Sequence, residues 1–234
     1  MKQSNEVLAA FQAGDLARAD ALARAALAVD PADWRALHML GAIALRSGRY
    51  DDAVADFERT LALAPDYAAA RANLVVALRR AGREEAAIAA FARIAPAERP
   101  PELTVEYASA LVASRRLDEA ETALRGVLMA HSDLAAAHYV RGRIDEARGD
   151  RAAATAGYRR ASALAPDDAI AHAALGAALC DDGRVDEAMA CLRRSVALRP
   201  TGLAVWKIAE ALVLQGRLAE AETALWEGFG PARD

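Results

Sequence analysis

An all-α fold built from repeated helical hairpins is predicted by three kinds of punctuation in this 234-residue sequence. Glycines 14, 48, 82, 149, 183 and 216 are separated by 34, 34, 67, 34 and 33 residues, the 67 being two periods less one residue. Prolines 31, 65, 166 and 200 each fall 17 residues after one of those glycines. Alanines 19, 53, 87, 120, 154, 188 and 221 hold the same phase along the whole chain. A period of this length marks an array of small units, none of which can bury its apolar face alone.

Each period resolves into two helices. Apolar residues recur at intervals of three and four, as in Leu37, Leu40 and Ala44 and then Val54, Phe57 and Leu61, which is the pattern of an amphipathic helix. Glycine relaxes the turn between the two helices, and proline ends the second before the next unit starts. Acid pairs such as Asp51-Asp52, Glu84-Glu85 and Asp118-Glu119 follow the hinges, where the positive end of a helix favours them. In order, the units cover residues 1–33, 34–67, 68–100, 101–134, 135–168, 169–201 and 202–234, and with no linker between them the chain reads as one domain. The weakest join is IAPAERPPEL, residues 94–103, where one residue is missing and two prolines adjoin. It reads as a tolerated irregularity, with a local change of curvature as the alternative. The fifth unit departs from its sisters, because Arg141 and Asp145 stand where they carry Leu40 and Ala44, or Leu175 and Leu179. Their spacing of four predicts a partly buried ion pair on one helix face, with a polar pocket as the alternative.

Composition removes several classes of function. A chain with 55% hydrophobic and 26% charged residues is globular rather than disordered. A net charge of −4 provides no general basic field for nucleic acid or an anionic membrane. No signal peptide is legible at the start, and the longest uncharged run, residues 169–180, is too short to span a bilayer. Cys180 and Cys191 form neither a disulfide framework nor a zinc pattern, and read as packing thiols in a reducing cytoplasm. No phosphate-binding loop, nucleophile elbow, HExxH or dinucleotide fingerprint is present. His138 and His172 occupy equivalent positions one repeat apart, a spacing of about 8–10 Å between helices that is wide for sharing one metal ion. Packing histidines, no metal and no cofactor are expected.

The period and its residues resemble the tetratricopeptide repeat family over essentially the whole chain. Leu37, Leu40, Gly41, Ala44, Ala53, Phe57 and Pro65 meet its pattern, as do His172, Leu175, Gly176, Leu179, Ala188, Leu192 and Pro200. The resemblance implies a right-handed α-solenoid of seven helix-turn-helix hairpins. Small residues would let the helices of a hairpin approach closely, while Phe57, Phe91 and Tyr158 fill the space between neighbours.

The resemblance further implies a non-enzymatic scaffold that takes a protein or extended peptide along the concave face of the first helices. The family's inward positions fall here on Asn5, Arg35, His38, Arg46, Asn73, Arg79, Arg80, Glu102, Glu106, Tyr139, Arg143, Trp206 and Lys207. Four arginines near the amino end would suit a ligand with an acidic stretch. The family's chaperone-tail clamp is not matched, since His38, Ala42, Asn73, Glu102 and Glu106 occupy its positions. Nor is an asparagine ladder, of which only Asn5 and Asn73 remain. The alternative reading is the substrate-recruiting part of a larger bacterial enzyme of glycosyltransferase or sulfotransferase type. It draws on an Ala- and Arg-rich composition with lysine only at positions 2 and 207. The last unit is expected to present Leu225, Trp226 and Phe229 at an edge that docks on a second copy of the chain or on a downstream segment.

Overall fold

The computed structural model describes residues 2–229, with side chains from Asn5 onward; the last five residues of the seventh sequence unit lie outside them. The described residues form fourteen α-helices and one 3-10 turn, with no strand. They fall into two compact units, one ending at Arg116 and the other starting at Leu117.

The first unit contains α1 (Lys2–Gln12), α2 (Leu16–Val29), α3 (Trp34–Arg46), α4 (Tyr50–Leu63), α5 (Ala68–Arg80), α6 (Glu84–Ala92) and α7 (Pro101–Ala113). The second contains α8 (Leu117–Ala130), α9 (Ala135–Arg148), α10 (Arg151–Leu164), α11 (Ala169–Asp181), α12 (Val185–Leu198), α13 (Gly202–Leu214) and α14 (Leu218–Phe229). Helices α1 and α2, α3 and α4, α5 and α6, α9 and α10, α11 and α12, and α13 and α14 pack as hairpins. Each second helix also packs on the first helix of the following hairpin, as α4 does on α5 and α12 on α13. Each unit is therefore a stack of helical hairpins, the α-solenoid arrangement, and a hairpin buries its apolar stripe by leaning on its neighbours.

The seven periodic alanines are all 3% exposed or less. They sit where paired helices come closest, and the first helices meet this constraint with small residues of their own. A β-carbon at Gly41 would stand 2.7 Å from the Phe57 ring, and at Gly142 the same distance from the Tyr158 ring. At Gly176 it would stand 2.6 Å from Leu192. Phe57, Tyr158 and Leu192 are at most 2% exposed and cannot retreat. In the first hairpin the sizes are exchanged, with Val7 on the first helix and Ala23 on the second, both buried.

Segment 94–103 takes up its missing residue by shortening a helix. Helix α6 stops at Ala92, residues Pro96–Glu98 form the 3-10 turn, and α7 starts with Pro101, a position where proline loses no helical hydrogen bond. Arg99 closes the bend: its Nε donates to the Ile94 carbonyl at 2.9 Å and its guanidinium lies 4.5 Å from the Phe91 ring centre.

All six periodic glycines have φ between 71° and 84°, the left-handed region that ends a helix cheaply only for glycine. In the 67-residue gap between Gly82 and Gly149 the same conformation falls on Arg115, at φ 61°. The turn has kept its backbone while losing its glycine, so this residue carries left-handed strain. Arg115→Gly is expected to stabilise the chain by about 0.5–1 kcal/mol, the relief of strain exceeding the extra freedom given to the unfolded chain; urea denaturation measures it.

Candidate functional site

The first helices of the first unit touch one another directly, α1 on α3, α3 on α5 and α5 on α7. Residues from four helices thus share one surface. Asn5, Arg35, Arg46, Arg80 and Glu102 are exposed on it. The Arg35 guanidinium lies 4.2 Å from the Trp34 ring centre, a cation–π contact. Trp34 in turn leans on Tyr67, 4.8 Å away, the residue that opens the next hairpin.

His38 and Asn73 are brought together. The Asn73 side-chain amide lies 3.1 Å from His38 Nε2, so a neutral ring with its proton on Nδ1 accepts this bond. The His38 ring also packs 4.9 Å from Tyr67 and 5.6 Å from Phe57. Burial among these rings holds the imidazole pKa below its ordinary value of 6.5.

The four arginines are largely engaged with the protein itself. Arg46 donates to the Phe11 carbonyl at 3.0 Å and lies 5.2 Å from the Phe11 ring centre, closing the carboxyl end of α1. Arg79 is ion-paired with Glu106 of α7, and Arg80 approaches the same carboxylate at 3.6 Å. The side chains of Arg79 and Glu106 are only 20% and 22% exposed, against 46% for Arg80. Of the cluster, Arg35 and Arg80 are therefore the guanidiniums that present most of their donors to solvent.

In the second unit Tyr139 is half-buried, 5.7 Å from the Tyr158 ring. The Tyr158 hydroxyl donates to Glu146 at 2.8 Å, and burial, with that carboxylate beside it, pushes the phenol pKa up. Arg143 is half-buried. Trp206 stands 62% exposed beside Lys207, whose ammonium holds Asp181 at 3.1 Å and Glu210 at 3.0 Å. Leu225 packs half-buried against the cluster of Met189, Leu192, Ile208 and Leu212, while Trp226 and Phe229 are 66% and 57% exposed.

Arg141 and Asp145 meet at 3.1 Å, with Asp145 only 6% exposed, and Arg141 also reaches Glu121 of α8 at 3.6 Å. This is a partly buried ion pair lying between two helices. Burial pushes the Cys180 and Cys191 thiols up; both pack against the cluster around Leu175 and Leu179. Among the described residues no three histidine, cysteine or carboxylate side chains are grouped so as to hold a metal ion, and no helix is long and apolar enough to cross a membrane.

Sequence reasoning missed what the histidines do. His138 Nε2 donates to the Ser132 carbonyl at 2.9 Å, and His172 Nε2 to the Pro166 carbonyl at 3.0 Å. Arg71, at the same phase of the repeat, donates from Nε to the Pro65 carbonyl at 2.9 Å. Each reaches back six residues to tie down the loop before its own helix. The shared phase was the available signal, although two side-chain types obscure it.

Family models described as tetratricopeptide repeat match residues 5–55, 44–103, 128–149, 139–202 and 183–227. The chain belongs to the tetratricopeptide repeat family. No curated protein matches it. Among solved structures, a tetratricopeptide repeat protein from Parabacteroides merdae is 16% identical, with 100% of this chain and 93% of that one aligned and a TM-score of 0.79. The Cut9–Hcn1 hetero-tetramer of the APC/C gives the same TM-score at 15% identity, over 95% of this chain and 44% of its own. The human IFIT1 dimer with PPP-AAAA is 16% identical, with a TM-score of 0.72 over 91% of this chain and 54% of that one. At these identities the likeness is one of fold.

Two expectations follow for this repeat protein. Because its folded state takes a proton on His38 less readily than the unfolded chain, the His38 contribution is complete above the ordinary pKa and is lost as pH falls from there through the lower folded-state value. Urea denaturation at about pH 7.5 and about pH 5.5 should show a smaller acid loss for His38→Gln than for wild type. At the ion pair, Arg141→Leu leaves Asp145 buried without its partner. It should cost about 1–2 kcal/mol more than Arg141→Leu with Asp145→Leu, less than at a fully buried pair because Arg141 is 40% exposed.

Proposed function

We propose that this chain is a non-enzymatic scaffold that recruits a protein partner by taking an extended peptide segment along its first-helix face. The observation that carries the reading is the direct packing of α1, α3, α5 and α7, which gives one polar surface to several successive hairpins. An extended ligand can engage all of them, each adding a modest contact. Arg35 and Arg80 supply the charge for an acidic stretch, while Arg79, already held by Glu106, positions that carboxylate beside Arg80. In the second unit Trp206, with Tyr139 and Arg143, offers an aromatic surface to apolar ligand residues. The unpaired, packed thiols support a reducing, cytoplasmic setting.

Selection of binders from a displayed random-peptide library on the intact chain tests the reading. Acidic peptides should be enriched, and Arg35→Glu with Arg80→Glu should weaken them about tenfold or more, as should added salt. Peptides that bind the double variant as tightly as wild type would remove this face from the site.

A further inference from the structure

The stacking of hairpins does not account for Trp226. Its phase in the repeat is that of Arg24, Glu58, Ala92, Arg125, Arg159 and Arg193, and all six are exposed. Glu58 and Arg159 lie on second helices that already have a following hairpin packed against them. A further hairpin after α14 would therefore leave Trp226 in water as well. A large indole, 66% exposed where the other repeats place charge or alanine, marks a contact surface on the outer side of α14.

A groove lies beside it. Between α12 and α14 a cavity of about 460 Å³ is floored by Val205, Ile208 and Leu212 of α13 and walled by Met189, Val196 and Ala224. The corresponding groove between α4 and α6 is smaller, about 320 Å³, and Arg71 and Arg93 line it. One repeat phase accounts for the difference: Val205 stands where Arg71 does, and Glu227 where Arg93 does. The last groove has thus lost both arginines, and its floor is apolar.

We propose that two copies of this chain pair through α14, the Trp226 indole of each seating in the α12–α14 groove of the other. Knob and hole lie on the same helix, so one two-fold contact fills both grooves at once, the self-complementary arrangement of symmetric dimers. Trp226 lies one turn from Glu222, and Arg193 lines the groove together with Glu220 and Glu227, so the apolar fit of indole to floor, and not charge, carries the pairing. The contact uses second helices and is independent of the peptide face on the first helices.

Sedimentation velocity of the intact chain from low micromolar to submillimolar concentration tests the proposal. Wild type should pass from monomer to dimer, and Trp226→Arg should raise the dissociation constant at least about 30-fold. Arginine is what three of the equivalent exposed positions carry in this unit, so the variant is expected to keep its fold, and its helical circular dichroism checks this. Ala224→Phe, which fills the groove and keeps the indole, should weaken pairing similarly. Trp206→Arg, at an equally exposed tryptophan on the first-helix side, should leave the dimer unchanged. A wild type that stays monomeric throughout overturns the proposal, whatever else the groove binds. So does a dimer unaffected by Trp226→Arg, or one weakened as much by Trp206→Arg.

Discussion

The close approach of the two helices in most of the hairpins, at a point with little room for a second large side chain, is the constraint on which the rest of this structure depends. Where the first helix has Gly41, Gly142 or Gly176, a large side chain from the second helix fills the space. Where the first helix has Val7, the second has Ala23. In five of the six hairpins that lie within a unit one of the two positions is glycine or alanine, supplied by either helix; the exception is the α5–α6 hairpin, with Val75 and Phe91. This approach brings the stripe of each hairpin flush with its neighbour, so burial continues across the joints without a central core. The periodic alanines are the residue of that requirement.

A second economy concerns charge. With almost no lysine, the chain relies on guanidinium groups, which are planar donors able to serve two acceptors at once. Arg46 and Arg151 cover carbonyls at the ends of neighbouring first helices, and Arg148 joins Asp118 at 2.5 Å and Glu121 at 2.7 Å. Much of the positive charge that looks free in the sequence is thus spent on joining hairpins. The surface left to a ligand is less basic than a residue count implies.

The fold was legible because its determinants are local and periodic. Hinge glycines, closing prolines and apolar spacing each report on the residues next to them, and repetition turns weak signals into one. Arg115 shows the limit: without its glycine, the turn could be placed only by counting from its neighbours. The candidate site was less legible, because it depends on which side chains meet across hairpins. The pairing of Arg79 with Glu106 and of His38 with Asn73 joins residues separated by about one period. The repeat places such residues near each other, but rotamers decide whether they touch. Trp226 is an intermediate case: its place at an edge was expected from the sequence, whereas the exposure of its six counterparts is seen only in the structure.

Within each unit the principal contacts of a hairpin are with its neighbours, and this has a mechanical consequence. Among the described residues of a unit no strand or long loop returns to bind distant segments, so tension applied along the stack meets the joints one after another rather than all together. Such a structure stretches by small changes in the angle between successive hairpins and, under greater load, gives way piecewise at the weakest joint. The shortened α6 and the 3-10 turn after it interrupt the regular joint in the first unit. A stack of this kind behaves as a spring whose compliance is written repeat by repeat.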